Sequence, residues 1–125
     1  MIKAVILAAG RGSRLGNLTN DRPKGLVELD GKSLLEWQCK ALYGCGINEI
    51  YIITGYLSHE IERLGFKTIH NNKWANSNMV ASIKLALDQI EGPLIFSYSD
   101  IVFYPDIVEK LLSEECSFAI AYDPN

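Results

Sequence analysis

The stretch LAAGRGSRLGNLTNDRPKGL, Leu7 to Leu26, concentrates groups suited to a chain of phosphates. Gly10 and Gly12 let backbone amides turn inward without side-chain obstruction, and amides clustered in this way form an anion-binding nest. Arg11, Arg14, Arg22 and Lys24 add mobile positive charge, against a single acid, Asp21. Two familiar phosphate loops do not fit. The Gly-Lys-Ser/Thr ending of a Walker loop is absent. Gly10, Gly12 and Gly16 have the wrong spacing for the dinucleotide fingerprint, and no helix start is evident before Ser33. A merely solvated loop is the plain alternative, but Gly-Arg-Gly-Ser-Arg is costly in backbone entropy with nothing to bind.

Leu7, Ala8, Ala9, Gly10, Gly12, Ser13, Arg14 and Leu15, then Pro23 and Lys24 after a gap, spell L-A-A-G-x-G-[ST]-R-L followed by P-K. This compound pattern resembles the signature of the nucleotidyltransferases that make activated sugars and polar head groups. The resemblance continues through Tyr98-Ser99-Asp100 and so spans nearly the whole chain. It implies that the glycine loop wraps the triphosphate of an NTP, with Tyr98 also on the nucleotide. It further implies that Arg14 holds the phosphates and that Lys24 lies at the reacting ones, the two catalytic residues. The family's usual proline two residues after the leucine of R-L is Asn17 here, which alters loop stiffness and leaves the chemistry in place.

The implied reaction is attack by a phosphate or phosphonate oxygen of a small acceptor on the α-phosphorus of the NTP, with loss of pyrophosphate. Two anions must meet, so positive donors have to be in position before charge develops. Arg14 offers a planar, permanently charged fork, and Lys24 a point charge able to follow the migrating group. Asp100, at the end of an apolar run and at the family's Y-x-D position, is the expected Mg2+ ligand; Mg2+ needs only one or two protein carboxylates beside phosphates. No general base is required, so His59 and His70 are not recruited.

The family's base-reading groups precede a helix, which points by position to Asn71, Asn76 and Ser77 in NNKWANSN. Amides carry both donors and acceptors for a base edge, yet Asn and Ser are also ordinary loop and cap residues; both readings stay open. NNKWANSNMVASI is similar to the small cytidylyltransferases acting on phosphocholine and aminoethylphosphonate, which favours CTP. A sugar-1-phosphate nucleotidyltransferase is the second reading, and a nucleotide-binding module without turnover the third. Trp74 either packs or faces a cationic head group. Family members are usually longer, so the resemblance makes residues 1–125 the N-terminal part of a longer nucleotidyltransferase domain, or else a short member completed by a partner or a second copy.

The elements that must hold these residues read as a strand–helix alternation. Ile2–Leu7 is a short apolar run of the kind buried on both faces of a parallel sheet. A loop follows to Lys32. Ser33 and Glu36 have capping-box spacing, and Leu34, Leu35, Trp37, Ala41 and Leu42 form a rough helical stripe that Gly44 and Gly46 end. Strands are expected at 49–54, 67–70, 94–98 and 118–122, and helices at 58–64, 78–90 and 105–112. The apolar face of the 78–90 helix is Met79, Val80, Ile83, Ala86, Leu87 and Ile90. The fold class is α/β, a Rossmann-like, mainly parallel sheet with helices on both faces.

Bulk properties agree. With 125 residues, 48% hydrophobic and 22% charged, the chain is in the range of one globular domain. A net charge of −3 argues against duplex nucleic acid as a partner. No segment approaches the roughly 18 apolar residues of a membrane helix. The N-terminal apolar stretch is better read as a first strand than as a signal peptide. Cys39, Cys45 and Cys116 are odd in number and lack CxxC spacing, consistent with reduced thiols and a cytoplasmic setting.

Overall fold

Alternating burial along one strand sets the architecture. In β1 (Lys3–Ala8), Ala4, Ile6 and Ala8 enter one apolar cluster while Val5 and Leu7 enter another on the opposite face. A strand buried on both faces needs a layer above and a layer below. The computed structural model describes residues 2–11 and 13–113, and of residues 13–15 only the backbone. Gly12, the side chains of Ser13 and Arg14, Cys116 and the strand expected over 118–122 therefore lie outside the described residues.

The first layer contains α1 (Leu34–Gly44), α2 (Ser58–Glu62) and α4 (Pro105–Ser113), which supply Leu35, Cys39, Leu42, Ile61 and Val108. The second is α3 (Met79–Gln89), with Ala86 and the following Ile90 packed on Val5, Leu7 and Ile53. Between them lie β1, β4 (Ile50–Thr54), β5 (Lys67–His70) and β6 (Leu94–Tyr98), in the spatial order β5-β4-β1-β6 with every pairing parallel. The chain steps outward from β1 through β4 to β5, then returns to β1's other side for β6. That reversal is a topological switch point, where α/β sheets open a crevice beyond the carboxyl ends of their strands. Register aligns those ends, pairing Leu7 with Tyr98, Ala8 with Thr54 and Thr54 with His70.

Three local features differ from expectation. The long loop contains 3-10 turns at Ser13–Thr19 and Lys24–Leu26, and a small hairpin of β2 (Glu28–Leu29) with β3 (Lys32–Ser33). Asp30 and Gly31, at φ 53° and 84°, make the left-handed two-residue turn that Asp-Gly favours. In α1 the buried stripe is Leu35, Gln38, Cys39, Ala41 and Leu42; Leu34 and Trp37 are only half buried, and the Trp37 indole donates to the Leu29 carbonyl. In α3, Met79, Val80 and Leu87 of the expected face are exposed and Ile83 is half buried; Ser82 and Ala86 are the buried residues of the helix, with Ile90 just beyond it.

Candidate active site

A cavity of about 250 Å³ opens at the switch point. Its floor is the end of β1 and the turn after it, with Leu7, Ala9 and Gly10 in the wall. Gly10 leaves open space where a Cβ would stand, so its amide is approachable. Ala8 behaves differently: its side chain is fully buried in the α1 layer, so only its backbone can serve a ligand.

One side wall is the segment after β5. Asn71 is tied to the sheet by its amide, which donates to the Thr54 carbonyl (2.8 Å). Its side chain is almost fully buried: Nδ2 donates to Ser77 Oγ (3.1 Å) and Ser82 Oγ (3.3 Å), and Oδ1 accepts from the Lys73 amide (2.9 Å). Asn71 thus organises the wall, presenting two hydroxyls, Ser77 and Ser82, that also line the cavity. Asn76 sits on the exposed turn outside it. Asn78 is both wall and N-cap, its Oδ1 accepting from the Val80 amide (3.1 Å). Met79 and Tyr98 meet across the opposite lip, where the Tyr98 hydroxyl donates to the Met79 sulfur.

Trp74 completes the wall and explains a glycine the sequence did not flag. A Cβ at Gly55 would overlap Trp74 Cβ and lie 2.5 Å from the Ala9 carbonyl oxygen. Only glycine lets the end of β4 approach both. The next residue, Tyr56, donates its amide to that same Ala9 carbonyl (2.9 Å) and its hydroxyl to the Thr19 carbonyl (2.6 Å), and packs edge-on against Trp74. Tyr56 is thereby the brace of the glycine loop. Its signal in the sequence is faint, an aromatic just past a strand end.

Arg11 and Arg22 do not point to the cavity, contrary to expectation. The Arg11 guanidinium stacks 4.4 Å over the Tyr56 ring and donates to Thr19 Oγ1 and Asn20 Oδ1. A planar cation satisfies an aromatic face and two local acceptors at once, so its charge closes the loop on itself. Arg22 pairs with its neighbour Asp21 at 3.3 Å. Lys24 is the basic side chain that lines the cavity among the described residues. Its Nζ stands 3.5 Å from Asp100 Oδ2, so the expected catalytic cation and the expected metal ligand, 76 positions apart in sequence (100 − 24), meet beside the cavity that Lys24 lines.

Asp100 is partly exposed just beyond β6, and no cluster of three or more His, Cys, Asp or Glu exists among the described residues. One accessible carboxylate is a poor site for a metal held by protein alone. It fits Mg2+, which takes few carboxylates and completes its shell with phosphates and water.

Fold and site together define an α/β domain with a cavity at a sheet switch point and a lysine in its wall. Residues 4–124 match the MobA-like NTP transferase domains, and the chain belongs to that family. It is 38% identical to the CTP:phosphoglutamine cytidylyltransferase of Campylobacter jejuni, over 98% of this chain and 53% of that one. It is 46% identical to the UTP–glucose-1-phosphate uridylyltransferase AglF of Haloferax volcanii, over 82% of this chain and 44% of the relative. Among solved structures, the CTP:phosphocholine cytidylyltransferase LicC of Streptococcus pneumoniae matches with a TM-score of 0.75 at 36% identity, over 84% of this chain and 50% of that one. The chain spans about half the length of the curated relatives it matches.

Proposed function

We propose that this domain binds CTP and moves its cytidylyl group to a small phosphate- or phosphonate-bearing acceptor. The observation that carries the reading is the meeting of Lys24 and Asp100 beside a cavity floored by the glycine turn. An acceptor oxygen forms the new bond to the α-phosphorus as the bond to the bridging oxygen breaks, and pyrophosphate leaves with that electron pair. The acceptor oxygen is already ionised at neutral pH, so the protein need not remove a proton. Amides of the glycine turn hold phosphate oxygens, and Lys24 balances negative charge as it shifts toward the leaving group. Asp100 would hold Mg2+, which when bound supplies further charge neutralisation on the phosphates. Arg14 keeps its proposed role as a phosphate clamp. The Ser77 and Ser82 hydroxyls, steadied by Asn71, are placed to meet a base edge. The phosphoglutamine and phosphocholine named for the Campylobacter and Streptococcus relatives support this class.

A second reading has a specific basis. The 46% identity to a uridylyltransferase favours UTP with a hexose-1-phosphate. Incubation with Mg2+, each NTP and a panel of acceptors, followed by pyrophosphate release, separates the two. Release confined to CTP with phosphocholine, phosphoglutamine or an aminophosphonate supports the proposal. Release with UTP and a sugar phosphate replaces it with the second reading. Tight nucleotide binding without release under any combination makes this chain a binding module.

A further inference from the structure

We infer that Gln38 on α1 is a positioning residue that fixes Asp100 against Lys24. The inference rests on the proposed roles of those two residues. Gln38 is a polar side chain in an apolar stripe, with no exposed surface, between Leu35 and Leu42. A buried amide is costly unless its bonds are made. Gln38 makes them with one distant segment: Nε2 donates to the carbonyls of Tyr98 and Ile101 (2.7 Å to the latter), and Oε1 accepts from the Ser97 hydroxyl (2.8 Å).

The two carbonyls bracket Ser99-Asp100. Tying both to a single nitrogen closes the chain into a short loop whose ends cannot separate, and Asp100 stands on that loop. The other partner is seated on the same helix. In the turn that carries Lys24, Gly25 packs so closely on Leu35 that a Cβ there would come within 2.9 Å of Leu35 Cγ. Leu35 and Gln38, one helical turn apart, thus support Lys24 and Asp100 respectively, and α1 sets the 3.5 Å spacing between them. Packing alone does not call for an amide here; leucine or methionine would fill the space and leave both carbonyls untied.

The test compares wild type with Gln38→Met, which keeps side-chain length and loses all three bonds, and Ser97→Ala, which loses one. Residue-resolved amide hydrogen exchange reads the clamp. Mn2+ binding to the CTP-loaded protein, followed by electron paramagnetic resonance, reads its consequence. In Gln38→Met, exchange at the Ser99 amide, which donates to the Leu7 carbonyl (3.1 Å), should accelerate at least about tenfold with the rest of β1 and β4 unchanged, and Mn2+ affinity should fall about 10–100-fold, the range for losing support behind a metal ligand. Ser97→Ala should accelerate exchange at the same amide by a smaller factor, and it carries the test if Gln38→Met does not fold; no acceleration there overturns the clamp. Uniform acceleration through β1 and β4 with unchanged Mn2+ affinity would reduce Gln38 to a packing residue and overturn the inference. Asp100→Asn separates the two failures. If it loses Mn2+ affinity while Gln38→Met keeps it, the positioning role is wrong and the site reading stands. If Asp100→Asn keeps full affinity while Gln38→Met loosens only the Ser99 amide, the metal role of Asp100 is wrong and the clamp stands.

Discussion

Lys24 carries the cavity's positive charge at low structural cost. Its bond to Asp100 is partly solvated, and such pairs contribute about 0–1 kcal/mol to stability. Lys24→Ala should therefore leave the thermal midpoint within a few degrees of wild type while lowering turnover by at least about 10²-fold, the scale for losing one preorganised donor. Steady-state pyrophosphate release beside a melting curve checks both; normal turnover would remove Lys24 from the reaction. Gly55 predicts the reverse pattern. Gly55→Ala forces its Cβ into Trp74 and the Ala9 carbonyl, and overpacking of this kind costs about 1–3 kcal/mol, to be seen as a lower urea midpoint. At this scale a compound motif singles out Lys24 and Asp100 in the sequence, and the fold brings them within 3.5 Å. It did not reveal that Arg11 is spent on Tyr56, because the partner lies 45 positions on (56 − 11) and only the fold brings it near.

α1 shows where element-level reading succeeds and where it stops. The capping box forms as its spacing foretells, with Ser33 Oγ accepting from the Glu36 amide at 3.1 Å and the Glu36 carboxylate accepting from the Ser33 amide at 3.4 Å. These are local bonds, and local sequence encodes them. β5 and β6 fall at the expected 67–70 and 94–98, and α4 ends within a residue of expectation. Which face of α1 is buried was less legible, because Gln38 is inside for the sake of carbonyls 60 residues away. Cys39 lies in the same stripe. Burial first, and the Glu36 carboxylate second, push its thiol from an ordinary 9.0 up to about 11. Because the folded value is the higher one, the folded state holds this proton more tightly. The stability this confers is fully present below about pH 9 and is lost as pH rises through about 11. Urea denaturation at pH 8 and pH 10.5 should show a steeper alkaline loss for wild type than for Cys39→Ala. Parallel losses would mean that the thiol is not kept from ionising.

For the whole molecule, alternation of strand and helix foretold the α/β class, but not the strand order, since nothing in a single chain's periodicity says on which side of β1 the last strand of the described sheet returns. That order creates the cavity, because β1 and β6 become neighbours only through the reversal. The cavity is walled by residues between Leu7 and Tyr98, so nucleotide binding should be a property of this chain as it stands. A ligand that binds only the folded state stabilises it by about 2.7 kcal/mol at a hundred times its dissociation constant. In a domain of this size each kcal/mol raises the midpoint by roughly 4 °C, giving a shift near 10 °C. With Mg2+ present, CTP should produce that shift at lower concentration than UTP, and Lys24→Ala should blunt it. A shift with UTP alone would move the base preference to the second reading. No shift with any NTP would mean that the switch-point cavity does not take nucleotide in this chain, whatever its longer relatives do.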